Sequence, residues 1–193
     1  MGINIKVYPY GMYGENTYLI TDEATGCKAV IDPGYFSEEV MNDIGDTANL
    51  KYILLTHGHH DHFYEADAYL KSYNDAVFAA PEGDKPIMRS CPEPHMWLRD
   101  GDKINLGETE LRVIATPGHT AGGICFADDR EIFTGDTLFR LSVGRTDLES
   151  GDWDTLVRSI KEKLYVLDDD MAVYSGHGPV TSIGFEKRSN PFV

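Results

Sequence analysis

Short apolar runs separated by turn-forming residues dominate the chain, and their lengths predict strands more often than helices. Residues 3–7, 16–21 and 28–31 read as three strands, the last stopped by Asp32-Pro33-Gly34. Ser37 with Glu38 and Glu39 marks a helix start, and Val40, Met41 and Ile44 give that helix an apolar stripe before Gly45. A strand over 51–55, a polar loop and a helix over about 62–72 follow. Residues 76–80 predict a short strand, and 81–94, which contains several prolines, reads as a joint between two halves with Met96-Trp97-Leu98 at its far end. The second half repeats the style, with strands at 102–106, 110–115, 124–127 and 131–134 and a turn at Asp128-Asp129. A helix over 153–165 has Trp153, Leu156, Val157, Ile160 and Leu164 at helical spacing behind Asp152 as N-cap, and 172–174 reads as a last strand. Strands and helices in this alternation predict an α/β fold whose strand ends feed loops along one rim.

Composition narrows the function classes. The 193 residues are expected to form one domain, 1–193, with an ample core. An apolar content of 41% without a run long enough to span a bilayer predicts a soluble globular protein with no membrane partner. Residues 1–10 lack the basic-then-apolar order of a secretory signal. Cys27, Cys91 and Cys125 are odd in number and widely spaced, which speaks against a disulfide framework and for a reducing, cytoplasmic location. Seventeen basic against 32 acidic residues give a formal charge of -15, so nucleic acid is a poor partner and a small-molecule substrate the better expectation.

Candidate chemistry concentrates directly after the apolar run 52–55, in Thr56-His57-Gly58-His59-His60-Asp61-His62. Residues 57, 59 and 61 point the same way from an extended loop while 62 turns as the next helix begins, so two ligands reach one cation and two its neighbour. Imidazoles with a carboxylate and no thiolate suit a borderline-soft divalent cation. Three further loops share one grammar, an apolar strand ending in glycine and then one ligand candidate: Gly118-His119, Gly135-Asp136 and Gly176-His177. Asp32 and Thr56 are candidates for orienting the ligating imidazoles. His60 reads as outward-facing, and His95, in the proline-containing joint, as structural or solvated.

With these motifs the chain resembles the metallo-β-lactamase superfamily, and within it the branch similar to glyoxalase II, or hydroxyacylglutathione hydrolase, from near the N-terminus to the end. The resemblance implies a four-layer αββα sandwich with the site along one edge where two sheets meet. It also implies that His57, His59 and His119 hold one metal, that Asp61, His62 and His177 hold a second, and that Asp136 bridges them. A divalent pair activates water and polarises a carbonyl, so the expected reaction is hydrolysis of a small thioester or ester by a metal-bridging hydroxide, with Asp61 orienting the hydroxide or taking its proton. Zinc is the first expectation; iron or manganese is compatible with the same ligands.

The chain ends soon after His177, which resembles short forms without the C-terminal helical domain of glyoxalase II proper. Pro179 stands where that family has a tyrosine, and Arg145 and Asp147 where it has a lysine and a tyrosine. Arg145 is the candidate contact for a substrate carboxylate, with an internal pair to Asp147 as the alternative. Persulfide dioxygenases share the ligand pattern but use one iron for oxygen chemistry, and a non-catalytic metal-binding protein is the rival from another class. His59, where a glutamate would be expected, disfavours a flavodiiron role.

Overall fold

Side-chain alternation along the strands builds this fold, because successive residues face opposite sides of a sheet. The computed structural model describes residues 2–12 and 14–193. Strands β1 (Ile3–Tyr10), β2 (Glu15–Asp22), β3 (Lys28–Ile31), β4 (Leu50–Leu54), β5 (Val77–Pro81) and β6 (Met96–Leu98) form one sheet in that order. The β1–β2 and β2–β3 pairs are antiparallel and the remaining pairs parallel. The chain continues with β7 (Lys103–Leu106), β8 (Thr109–Ala115), β9 (Ile124–Ala127) and β10 (Glu131–Gly135), then a small hairpin, β11 (Leu138–Phe139) and β12 (Ser142–Val143), and finally β13 (Ala172–Ser175) and β14 (Thr181–Ser182). The second sheet has the order β14-β13-β10-β9-β8-β7. The α-helices are α1 (Glu38–Ile44), α2 (His60–Phe63), α3 (Ala66–Ser72), α4 (Trp153–Ser159) and α5 (Ile183–Ser189).

Three apolar layers follow from the alternation. On β2, Leu19 packs with Val40, Ile44 and Tyr69 of the flanking helices, whereas Tyr18 and Ile20 turn towards the second sheet. On β10, Phe133 enters the same intersheet core, and Ile132 faces away to join Leu156, Ile160 and Ile183. Helix, sheet, sheet and helix are thus stacked as the αββα sandwich the resemblance implies. Each fully buried Ile, Leu or Phe in these layers contributes about 1.5–3 kcal/mol. No described helix is long and apolar enough to cross a membrane.

Several elements differ from the pattern-based expectation. The helix expected over 62–72 is two pieces, and the first begins earlier, at His60. Glu65 donates its N–H to the Pro33 carbonyl at 3.0 Å instead of continuing the helical ladder, which breaks the run. The helix over 153–165 forms, but its second half is a π-helical turn, Ile160–Leu164, closed by Tyr165 N–H on Ile160 O at 2.8 Å. Strands β6, β11, β12 and β14 escape sequence reading because two or three residues carry no periodicity. Helix α5 was also missed, although Ser182 caps it by accepting the Phe185 N–H. All three cysteines are unpaired.

Candidate metal centre

Strand direction brings the candidate ligands together. β8, β10 and β13 run the same way in one sheet, and β3 and β4 run parallel in the other, so their carboxyl ends open on one edge. From that edge β8 leads to His119, β10 to Asp136, β13 to His177, β4 to the 56–62 loop and β3 to Asp32. Main-chain bonds join the rims: Ile124 N–H donates to Thr56 O at 2.9 Å, and Asn16 N–H to Gly176 O at 2.8 Å. The Asn16 side chain adds bonds to the carbonyls of Ser175 and Gly178 at 3.0 and 2.9 Å, which fastens the loop carrying His177 to the first sheet.

All seven proposed ligands meet on this edge, as two triads with Asp136 between them. Facing nitrogens of His57, His59 and His119 lie within 4.8 Å of one another, as do the ligating atoms of Asp61, His62 and His177. Between the groups stands Asp136, with Oδ1 3.4 Å from His62 Nε2 and Oδ2 3.5 Å from both His119 Nε2 and His177 Nε2. Asp61 Oδ2 is 3.6 Å from His177 Nε2 and, at 44% exposure, is the open side of the cluster. The outward ring nitrogens are held: His57 Nδ1 by Thr56 Oγ1 at 3.1 Å, His62 Nδ1 by Asp32 Oδ2 at 2.9 Å, and His119 Nδ1 by the Arg145 carbonyl at 2.7 Å. Asp32 also accepts the Thr56 N–H and hydroxyl, both at 2.8 Å, so its oxygens are spent on orientation. Gly176 is obligatory here, since a Cβ would collide with Asp136 Oδ1 and come 2.6 Å from His62 Cε1.

The inward atoms are the telling ones. His57 Nε2, His62 Nε2 and Asp136 Oδ1 are buried with no hydrogen-bond partner. Orphaned buried polar atoms cost about 1–3 kcal/mol each, and cations at the two triads would remove that cost. Burial drives the His57 pKa well below its usual value and lowers that of His59 to about 4, so both present neutral imidazole as a metal requires. For His62, burial opposes the charge, but Asp136 and Asp32 outweigh it and hold the proton, which a cation at Nε2 must displace. Burial likewise works against the Asp136 carboxylate, and the neighbouring imidazoles, His62 foremost, keep it ionised. Donor types, burial and orphaned atoms therefore fit two divalent cations.

The remaining candidates fall outside the cluster. Arg145 forms a two-pronged pair with Asp147, both contacts at 2.7 Å, and its carbonyl stands 2.7 Å from His119 Nδ1. His60 is exposed and packs its ring on Phe63 and Tyr64. His95 pairs with the main chain of Phe78, accepting its N–H at Nδ1. Sequence reading missed Asn16, Glu15 and Asp84. Each is a buried polar residue next to the site. A polar residue at the head of the apolar strand 16–21 was the available signal for the first; the others carry no local mark.

The family model of the metallo-beta-lactamase superfamily matches residues 10–177. The hydroxyacylglutathione hydrolase GloC of Haemophilus influenzae is 37% identical over 209 aligned positions, covering 99% of this chain and 98% of that protein. Among solved structures, TTHA1623 in a di-iron-bound form superposes with a TM-score of 0.84 at 32% identity, over 97% of this chain and all of that one. ETHE1 from Myxococcus xanthus superposes with a TM-score of 0.82, also at 32% identity, over 97% of this chain and 83% of that one.

Proposed function

The chain belongs to the metallo-beta-lactamase superfamily, and on that premise we propose that it is a dinuclear metal-dependent hydrolase that cleaves a small thioester or ester in the manner of glyoxalase II. One observation carries the reading: two ligand triads flank Asp136, and three of the inward atoms, His57 Nε2, His62 Nε2 and Asp136 Oδ1, are buried with no hydrogen-bond partner among the described residues. His57, His59 and His119 would hold one cation and Asp61, His62 and His177 the other, with Asp136 between them. Zinc suits this donor set best, and iron suits it as well, as the di-iron form of TTHA1623 illustrates. Cations bound there would supply Lewis acidity towards a carbonyl and lower the pKa of water from 15.7 to about 7.

The chain's own groups do the rest. Asp61, half-exposed at the mouth, would orient the attacking water or accept its proton on the carboxylate. Asp32 and Thr56 keep His62 and His57 aimed inward, so the site needs no rearrangement during turnover. Substrate enters beside Asp61, where Tyr10, Met12, Gly34, His60 and Tyr64 surround a cavity of about 240 Å³. That volume accommodates the acyl part of a small ester. Arg145 meets a substrate carboxylate after exchanging Asp147 for it. Three unpaired cysteines support a reducing, cytoplasmic setting. A mononuclear iron persulfide dioxygenase is the second reading, favoured by the first triad being complete without the second.

Metal analysis of the purified protein with a thioester panel that includes S-lactoylglutathione tests the proposal. Two cations per chain and metal-dependent turnover are expected. One iron with oxygen uptake on a persulfide selects the dioxygenase, and tightly held metal with no turnover on any activated ester removes the enzyme. An Asp61→Asn variant that keeps both cations and full turnover would remove the role of Asp61 as base.

A further inference from the structure

Asp84 belongs to neither triad, yet it is 1% exposed and its side-chain bonds run to the two loops that carry the first of them. It ends the short 3-10 turn Glu82–Asp84 after β5. Its Oδ2 accepts the Gly58 N–H and the Thr120 hydroxyl, both at 2.7 Å, and its Oδ1 accepts the Gly122 N–H at 2.6 Å. Gly58 lies between His57 and His59, and Thr120 follows His119. One carboxylate thus ties together the backbone segments that carry all three ligands of the first triad. The second triad is anchored elsewhere, His62 on Asp32 and the loop of His177 on Asn16.

Close packing makes the tie rigid. A Cβ on Gly122 would stand 2.7 Å from Asp84 Oδ1 and clash with the Asp84 backbone, and one on Gly83 would stand 2.7 Å from Gly122 Cα. Two chain segments are therefore in backbone contact around the carboxylate, and bonds from three donors to an ionised acceptor are the strong kind. We infer that Asp84 is a positioning residue that sets the spacing of His57, His59 and His119 and so governs the affinity of the first cation position separately from the second. This rests on the dinuclear reading above.

Asparagine in place of Asp84 keeps the shape but turns an N–H₂ group towards donors, while Thr120→Val deletes just one of the three bonds. The test is stepwise zinc binding to the metal-stripped protein in competition with a chromophoric chelator, with His119→Ala and His177→Ala assigning each constant to its triad. In Asp84→Asn the first-triad constant is expected to weaken about tenfold or more, with the second within about twofold. Thr120→Val should weaken the same constant by a smaller factor, and it decides the matter if Asp84→Asn does not fold. Unchanged constants, or an equal loss at both triads, overturn the assignment and leave the dinuclear reading standing. A wild-type protein that binds a single cation overturns the dinuclear reading instead. The response of that one constant to Asp84→Asn then still decides the role of Asp84: weakening supports it and no change overturns it.

Discussion

Replacing Glu15 by glutamine should stabilise the metal-free protein, and by a larger margin the higher the pH. Glu15 is 3% exposed; among the described residues its Oε1 has no hydrogen-bond partner, and Oε2 accepts a long contact of 3.4 Å from the Thr17 hydroxyl. Burial raises its pKa from 4.5 to about 9; His62 opposes the shift, and Asp32 and Asp61 add to it. The unfolded chain releases the proton near pH 4.5 and the folded chain only near pH 9, so between those limits the folded state binds more protons. Folding stability then falls by about 1.4 kcal/mol per pH unit as pH rises through that window. Glutamine has nothing to ionise. At pH 7.5 the accumulated difference is about 4 kcal/mol, which for a chain of this size corresponds to roughly 10 °C in Tm. Guanidinium unfolding of both metal-stripped proteins at pH 5 and pH 8 measures it. The advantage of Glu15→Gln should grow by about 4 kcal/mol between the two; an advantage that stays constant with pH refutes the reasoning.

Asp32→Asn removes the acceptor that aims His62 and should weaken the second cation position by about 10–100-fold, read by competitive metal titration. Gly176→Ala forces a methyl group against Asp136 and His62, so metal analysis should find fewer cations per chain than in the unsubstituted protein, together with loss of any metal-dependent turnover. Arg145→Ala breaks an exposed pair with Asp147 and should leave the unfolding midpoint in place. Its KM for a substrate bearing a carboxylate should rise several-fold while that for an uncharged ester stays constant. Equal KM changes would take Arg145 out of substrate binding.

Residues close in sequence carried much of the site. His57, His59, Asp61 and His62 follow one strand, and the local order of strand, glycine and candidate ligand at His119, Asp136 and His177 is a property of each segment by itself. Long strands and the stripe of Trp153, Leu156 and Ile160 were equally legible, because periodicity is local. The partners of those ligands were not. Asn16 anchors a carbonyl 159 residues away, and Asp84 joins segments 26 and 36 residues away, so no spacing rule links them to their roles. Whether Arg145 faces Asp147 or the centre, and whether Glu15 is solvated or entombed, likewise depended on which loops pack against which. Local order along the chain suffices for the donor types and the strands that present them, since both are encoded within a few residues. Tertiary structure alone decided their convergence, their orientation and the burial that shifts their protonation, because those arise from desolvation and contacts between parts of the chain that meet only when the two sheets close.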